Sequence, residues 1–184
     1  MKTLQTSNKK QIYIFDDLFD FKTRNNFYQF ILGSFYKLKG QTSDTLDFMG
    51  EYHIFSEYSP EDVDAMGILT HESSKEFLPL IEEMEFLQAR INLGTLYDKN
   101  RFHVDTTKNK KSITLLYYAN MNWDIESGGH TLFANEDISD MEHCVMFKPG
   151  RLIAFDGTIP HCILSPNIAS PSYRFAMAIQ FREK

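Results

Sequence analysis

The sequence predicts a mainly β protein with some α-helix: a double-stranded β-helix (jelly roll) buttressed by N-terminal helices. Helical patterns stop near residue 84, and from residue 85 onward short apolar stretches alternate with turn signals. Such spacing is typical of antiparallel barrels and sandwiches. A chain of 184 residues can close one sizeable core. We therefore expect a single domain over residues 1–184, with 1–84 as support and 85–184 as the jelly-roll core.

Composition indicates a folded protein without membrane association. Hydrophobic residues make up 42% of the chain, and disorder is expected at most in the polar first ten residues. No apolar run approaches the roughly 20 residues that span a bilayer, and the start lacks a signal peptide. The two cysteines, Cys144 and Cys162, form no CxxC motif, which fits a reducing compartment. We expect a soluble, cytoplasmic protein.

The formal net charge of −6 makes nucleic acid an unlikely partner. A phosphate backbone binds basic surfaces, and an acidic protein offers few of them. A local basic patch at 108–111 leaves nucleic acid disfavoured rather than excluded.

The N-terminal part begins with a predicted strand at 11–17 and a helix capped by Asp20. An apolar stripe at helical spacing marks one face of that helix. Its members are Phe27, Phe30, Ile31 and Phe35.

A loop at 40–50 and a strand at 51–58 are predicted next. Ser59 then suits an N-cap and Pro60 the first helical position of a second helix. A third helical piece is expected over 73–84, interrupted by Pro79.

The C-terminal part contains seven predicted strand segments separated by turn signals. They are FLQARINLGTLY (86–97), ITLLYYAN (113–120), GHTLFA (129–134), CVMF (144–147), GRLIAFD (150–156), HCIL (161–164) and YRFAMAIQF (173–181).

His103 and Asp105 are candidate metal ligands. Side chains two residues apart on a strand share a face, and His161, at the head of a later strand, can complete the set. Two imidazoles and one carboxylate on one side of a metal form the facial triad of non-haem Fe(II) oxygenases, whereas a structural zinc site is closed. The alternative, a strand-end histidine and a turn-forming aspartate, explains the pair alone but leaves His161 aside.

Arg174 is a candidate anion-binding residue. It shares a strand face with Ala176, Ala178 and Gln180. A guanidinium on an inward face is unfavourable unless an anion meets it, and a carboxylate does so in bidentate fashion. The alternative is a surface arginine on an edge strand. Arg182 has the same parity but lies far enough along to fall outside the barrel.

Tyr118 could supply a second hydrogen-bond donor to the same carboxylate. Tyr117 points to the opposite face. Core packing with a satisfied hydroxyl explains Tyr118 about equally well.

In their order along the chain, these motifs resemble the iron(II)- and 2-oxoglutarate-dependent dioxygenases, specifically the prolyl 4-hydroxylase-like branch. That branch includes the hypoxia-factor prolyl hydroxylases and small phage or bacterial relatives. The resemblance covers about residues 97–182. It rests on His-x-Asp, YYxNxxWD (117–124), SGG (127–129), PGR (149–151) before LIAFDGTIPH, and the distal arginine.

The resemblance implies an oxidoreductase that uses Fe(II), 2-oxoglutarate and O2. His103, Asp105 and His161 would bind the iron, and Arg174 and Tyr118 would bind the distal carboxylate of 2-oxoglutarate. The reaction would convert 2-oxoglutarate to succinate and hydroxylate a C–H bond. Its substrate would be a prolyl or other residue of a peptide or protein, or a small molecule.

Two positions depart from the branch's pattern. His130 stands where many relatives have Glu after the double glycine; a fourth metal ligand is one reading and a hydrogen-bonding or pocket-lining residue the favoured one. Ala176 stands where many relatives have Ser or Thr, so one hydrogen bond to the cosubstrate would be missing or supplied elsewhere.

Two other functions remain as alternatives. A nucleic-acid demethylase of the same chemistry would explain Asn92 and Tyr97 as an Asn-x-Tyr element, but the spacing differs and Gln180 replaces a second arginine. A non-catalytic jelly-roll binding or sensor module would need no anion pocket, which Arg174 predicts. Substrate choice would depend on the loops at 40–50, 106–111 and 135–144.

Overall fold

The computed structural model describes residues 1–40, 52–98, 100–106 and 110–184. Within them are eleven strands and two α-helices, and both helices precede β5. They are β1 (Lys2–Gln5), β2 (Gln11–Phe15), α1 (Phe21–Leu32), β3 (Lys37–Gly40), β4 (Tyr52–Tyr58), α2 (Pro60–Met66), β5 (Met84–Gly94), β6 (Ser112–Tyr118), β7 (Thr131–Ala134), β8 (Met141–Val145), β9 (Leu152–Asp156), β10 (His161–Ile163) and β11 (Arg174–Glu183).

The described strands form two antiparallel sheets, as the predicted jelly roll requires. The larger sheet has the order β1-β2-β9-β6-β11-β5-β4-β3, and the smaller one has the order β10-β7-β8. The strand β11 lies inside the large sheet, between β5 and β6. The predicted mainly β fold with N-terminal helices is confirmed.

The N-terminal part contributes strands as well as helices to this architecture. The first ten residues, the only stretch where we allowed disorder, include β1, which pairs with β2 from Lys2 opposite Ile14 to Gln5 opposite Gln11. At the other edge of the sheet, β3 and β4 continue outward from β5. The first part of the chain therefore widens the sheet that the second part builds.

Helix α1 begins where the sequence predicts and ends earlier than the apolar stripe suggests. The Asp20 carboxylate accepts a hydrogen bond of 2.7 Å from the Thr23 N–H. Phe27 and Ile31 are buried in the core. Gly33 caps the helix after Leu32, so Phe35 lies beyond it and is 81% exposed. The inclusion of Phe35 in the buried stripe is wrong.

Helix α2 is short because both of its ends are capped. Ser59 and Asp62 form a capping box, and Gly67 ends the helix with φ +87°. The predicted third helical piece consists of two short 3-10 turns, Glu72–Glu76 and Leu78–Leu80. A proline in the second of these turns cannot extend a regular helix, which explains the difference.

Strand β11 separates the core from the interior of the jelly roll. Phe175, Met177, Ile179 and Phe181 pack into the larger apolar cluster, together with the helices. Ala176 and Ala178 belong to the cluster between the two sheets. Successive side chains of a strand point to opposite faces, so the large residues pack on one side of β11 and the alanines on the other.

Residues 41–50 of the predicted loop at 40–50, and residues 107–109 of the loop at 106–111, lie outside the described residues. In the ranges that the structure describes, no helix is both long enough and apolar enough to cross a membrane.

Candidate metal centre and anion pocket

A pair of backbone hydrogen bonds brings His103 and His161 together. His103 lies between β5 and β6, and His161 begins β10. The His103 N–H donates to the His161 carbonyl at 3.0 Å, and the His161 N–H donates to the His103 carbonyl at 2.9 Å. The two imidazole ring centroids are 4.4 Å apart. The rings are thus placed side by side by the main chain itself.

Asp105 completes the cluster from the same segment as His103. Its backbone N–H donates to the Gly157 carbonyl at 2.8 Å. One carboxylate oxygen lies 3.8 Å from His103 Nε2, and the other lies 3.7 Å from His161 Nε2. All three potential ligand atoms lie within 4.8 Å of one another. The structure therefore brings together the three residues that the sequence singled out.

Both imidazoles present Nε2 to this centre because Nδ1 is already engaged. His161 Nδ1 lies 2.9 Å from the Ile159 carbonyl, and His103 Nδ1 lies 3.1 Å from the Arg101 carbonyl. A carbonyl only accepts, so each Nδ1 carries the proton and each Nε2 keeps its lone pair. Burial lowers the pKa of His161, although the Asp105 carboxylate opposes this shift. A neutral imidazole is the form that binds a metal.

The centre is enclosed on one side and open on the other. The side chains of His161 and Asp105 are 6% and 10% exposed, whereas that of His103 is 54% exposed. Three ligands on one side leave the opposite side free for other ligands, which is the arrangement of a facial triad.

Thr114 on β6 fixes the orientation of the Asp105 carboxylate. The Thr114 hydroxyl donates to Asp105 Oδ2 at 2.5 Å, and Thr114 is buried. Such a short bond to a carboxylate is typical of a charge-assisted hydrogen bond. The sequence analysis missed this residue, because a threonine inside an apolar strand carries no signal until its partner is known.

Arg174 is the largest fully buried side chain of the described residues and has an unpaired nitrogen. Its Nε donates to the Gly129 carbonyl at 2.7 Å. Its Nη2 is buried without a hydrogen-bond partner among the described residues. Burial lowers the pKa of Arg174 to about 10, so the guanidinium remains charged at neutral pH. A buried charge with a free donor indicates a place for an anion.

Aromatic rings and a glycine hold the guanidinium in place. Its central carbon lies 4.8 Å from the Phe147 ring centroid and 5.3 Å from that of Tyr118. Gly129 has φ +76°, and a Cβ there would lie 3.0 Å from Arg174 Cδ. A side chain at position 129 would therefore displace the arginine.

Tyr118 lies beside Arg174 as the sequence predicts, but its hydroxyl has another partner. The Tyr118 O–H donates to Thr131 Oγ1 at 2.7 Å, and its ring stacks on Phe147. A direct bond from Tyr118 to a ligand stays a prediction.

One cavity of about 460 Å³ joins the metal cluster to Arg174. Residues of the large sheet and of the segment around His103 line it. The lining residues are Ile54, Phe55, Gln88, Arg90, Asn92, Leu93, Gly94, Asp98, Asn100, Arg101, His103, Val104, Asp105, Thr114, Leu116, Phe155, His161, Ile163, Arg174, Ala178 and Gln180. Two of its polar members on β5, Gln88 and Arg90, were not predicted from the sequence, although with Asn92 they alternate with apolar residues.

The structure shows the contacts of His130 and Ala176, the two positions that depart from the prolyl 4-hydroxylase-like pattern. His130 Nδ1 accepts a hydrogen bond of 3.2 Å from the Phe147 N–H, and His130 is not part of the described metal-ligating group. The hydrogen-bonding reading of His130 is thus the one that the contacts favour. Ala176 is fully buried and provides no hydroxyl. Trp123, in the YYxNxxWD motif, donates from Nε1 to the Gly128 carbonyl at 3.0 Å.

The two sheets, the helices and their order define the double-stranded β-helix fold of the 2-oxoglutarate- and Fe(II)-dependent oxygenases. An oxidoreductase of the 2OG-Fe(II) oxygenase family from Burkholderia pseudomallei superposes with a TM-score of 0.67 at 11% identity, over 93% of this chain and 84% of that one. A prolyl-4-hydroxylase from Pseudomonas putida superposes with a TM-score of 0.65 at 15% identity, over 94% of this chain and 92% of that one.

A third solved structure is similar over most of its length. The prolyl hydroxylase from Trichoplax adhaerens, determined with a hypoxia inducible factor peptide fragment, gives a TM-score of 0.59 at 13% identity, over 94% of this chain and 83% of that one. No protein-family model and no curated protein sequence matches the chain.

The metal cluster predicts the effect of removing single ligands. His161→Ala and His103→Ala should abolish stoichiometric Fe(II) binding, and Asp105→Ala should weaken it, because three ligands are needed on one side of the ion. Iron content after anaerobic loading and desalting measures this. His143→Ala is the control, since His143 lies on β8 outside the cavity lining and its Nε2 contacts the Gln5 carbonyl. Parental iron content in His161→Ala would show that the ligand assignment is wrong.

The hydrogen bond from Thr114 to the Asp105 carboxylate predicts that Thr114 affects metal affinity without binding the metal itself. Thr114→Val keeps the shape but frees the Asp105 carboxylate to rotate, so metal affinity should fall about 10- to 100-fold. Thr114→Ser should restore most of it. Competition of Co(II) against a chelator, read from the Co(II) absorption spectrum, measures both affinity and geometry.

The control for this experiment is Ser112→Ala. Ser112 lies two residues away on the same face of β6, and its buried hydroxyl has no described partner. An unchanged Co(II) affinity and spectrum in Thr114→Val would contradict the positioning role.

Proposed function

We propose that the protein is an Fe(II)- and 2-oxoglutarate-dependent dioxygenase that hydroxylates a C–H bond. The observation that carries this proposal is the buried, incompletely paired Arg174 in the same cavity as His103, Asp105 and His161. A metal cluster alone would suit many functions. An anion site beside the metal cluster, in the same cavity, suits a cosubstrate that binds the metal at one end and Arg174 at the other.

The residues present fit iron. Two imidazole nitrogens and one carboxylate are the donor set of non-haem Fe(II) oxygenases, and the exposed side near His103 leaves room for further ligands. His103, Asp105 and His161 would hold the ion, with Thr114 orienting the carboxylate.

The residues present also fit 2-oxoglutarate, which carries a carboxylate at each end. Arg174 would receive the distal carboxylate through its free Nη2, since a guanidinium binds a carboxylate most strongly in bidentate geometry. Tyr118, whose ring faces the guanidinium, is the proposed second contact. Ala176 supplies no hydroxyl, so the hydrogen bond of many relatives is absent at that position.

Bound together, iron, 2-oxoglutarate and O2 would supply an oxidant for an unactivated C–H bond, with succinate and CO2 as coproducts. The protein itself would neutralise the charge of the cosubstrate and position the metal, the cosubstrate and the substrate. Arg174 fixes one end of the cosubstrate, the histidines and Asp105 fix the metal, and the cavity walls hold the target carbon near it. The low exposure of Asp105 and His161 keeps water from that side of the centre.

For the substrate, we propose a peptide or protein residue, or a small molecule, and retain prolyl hydroxylation as one candidate. The similarity to a prolyl-4-hydroxylase and to a prolyl hydroxylase solved with a peptide fragment supports it. We further propose that residues 1–184 act as one domain and that the protein works in the cytoplasm.

The alternative functions have less support. Nucleic-acid demethylation would be helped by a second arginine at position 180, where Gln180 instead accepts a hydrogen bond from the Gln88 amide. The net charge of −6 also opposes it. A binding or sensor module with a purely structural metal gives no reason for the buried charge of Arg174.

The proposed activity is tested by turnover. Protein loaded with Fe(II) and 2-oxoglutarate without oxygen should, on exposure to O2, form succinate in step with O2 consumption. Mass spectrometry of candidate peptides and metabolites should then show a gain of one oxygen atom. The absence of succinate from protein that binds both Fe(II) and 2-oxoglutarate would overturn the proposal.

Arg174 yields a separate prediction on binding. Arg174→Ala should raise the dissociation constant of 2-oxoglutarate by tens to thousands of fold, since losing one partner of a buried charge pair costs about 2–5 kcal/mol. Fe(II) binding should persist. Arg174→Lys should recover part of the loss, because the charge returns without the bidentate fork. Anaerobic calorimetry measures these constants.

The matched control is Arg182→Ala. Arg182 lies on the same strand and pairs with Glu85 at 2.5 Å near the surface, outside the cavity lining. If Arg174→Ala bound 2-oxoglutarate like the parent, the anion site would lie elsewhere and the binding-module alternative would regain support.

A further inference from the structure

Strand β5 carries a polar face toward the cavity that the proposed use of iron and 2-oxoglutarate does not explain. Gln88, Arg90 and Asn92 line the cavity, while Ala89 and Ile91, between them, are buried in the core. A cavity wall for an apolar substrate would be apolar, because a polar group without a partner is unfavourable beside one. This wall is built for a hydrophilic ligand.

Arg90 is the charged member of this face and has space in front of it. In the sheet register it lies opposite Ala178 on β11 and opposite Glu57 on β4. The small side chain of Ala178, which also lines the cavity, leaves the guanidinium uncovered on that side. The arginine side chain is 40% exposed.

Two contacts hold the guanidinium of Arg90 in one place. Its central carbon lies 5.4 Å from the ring centroid of Phe55, and its Nη2 lies 3.3 Å from Glu57 Oε1. Its Nε is buried and has no hydrogen-bond partner in the described structure. A positioned arginine with remaining donor capacity loses less entropy on binding a ligand than a mobile one does.

Glu57 does not neutralise this site. Its second oxygen lies 3.9 Å from Lys37 Nζ, so one carboxylate faces two cations. Arg90, Lys37 and Glu57 together carry one net positive charge. Of these three groups, only Arg90 lines the cavity.

Arg90 is too far from Arg174 to share its anion. Arg174 pairs with Gly94, four residues along β5 from Arg90. Four residues of extended strand span about 13 Å between Cα atoms. The two guanidinium groups also lie against different rings, that of Arg90 against Phe55 of β4 and that of Arg174 against Tyr118 of β6 and Phe147. An anion at Arg90 would therefore belong to a second molecule.

We propose that Arg90 binds an oxyanion of the primary substrate, either a carboxylate or a phosphate or sulfate ester. That the ligand is the enzyme's substrate rests on the proposed function. The existence of an anion site at Arg90 does not depend on that function. Asn92, between Arg90 and the end of β5, offers an amide to the part of the ligand that reaches toward the metal. Substrates with an acidic group are selected over their neutral analogues.

The site is tested by NMR on protein loaded with Zn(II), a diamagnetic stand-in for iron, and saturated with 2-oxoglutarate so that Arg174 is occupied. Sulfate and acetate are the two probes, titrated at constant ionic strength. The side-chain Nε–H signal of Arg90, assigned by its absence in Arg90→Lys, should shift and reach saturation. Tighter binding of acetate indicates a carboxylate group, and tighter binding of sulfate a phosphate or sulfate ester.

Two variants separate the Arg90 site from general charge effects. Arg90→Met should weaken the saturable binding, followed at the backbone amide of Ala178, roughly 10- to 100-fold, as expected for loss of a hydrogen bond to a charged group. Arg182→Met removes a cation that pairs with Glu85 outside the cavity lining, and it should change the same binding less than about twofold.

Each outcome decides the inference. No saturable shift of the Arg90 signal, or equal binding in Arg90→Met, overturns it. The same samples show first whether 2-oxoglutarate binds. Failure there counts against the proposed function alone, since anion binding at Arg90 is read independently.

Discussion

The structure depends on the two-residue alternation of β11. Its neighbours β5 and β6 both pair with it, so its register is fixed from two sides. One face fills the apolar core with Phe175, Met177 and Ile179, and the other presents Arg174 and Ala178 to the interior of the jelly roll. A slip of one residue would move the arginine into the core and the aromatic side chains into the cavity.

The same strand explains how core and site are connected. Packing of the helices against one face of β11 holds its position, and that position sets where the guanidinium lies relative to His161 and Asp105. The small sheet contributes to the metal cluster. Its strand β10 carries His161, which forms main-chain hydrogen bonds with His103. The metal cluster therefore requires both sheets, because His161 begins β10 and Thr114 of β6 holds the Asp105 carboxylate.

Residue parity and the order of motifs were enough to predict the jelly roll, the three clustered metal-ligand candidates and the inward direction of Arg174. The strand spacing, the shared face of His103 and Asp105 and the direction of Arg174 depend on local periodicity, whereas His161 follows from the order of motifs along the chain. The pairing of Thr114 with Asp105 and of Arg90 with Glu57 could not be predicted, because each joins segments whose alignment is set by sheet register. Phe35 was placed on the buried stripe because periodicity alone does not reveal that Gly33 ends the helix first.

Under the proposed function, the unpaired nitrogen of Arg174 would link ligand concentration to folding. A buried guanidinium lacking an anion is a local destabilisation of the native state, and any dicarboxylate that pairs with it binds the folded chain and not the unfolded one. At a hundredfold excess over its dissociation constant, such a ligand would add about 2.7 kcal/mol to the free energy of unfolding. The abundance of the folded protein in a cell would then follow the supply of that metabolite.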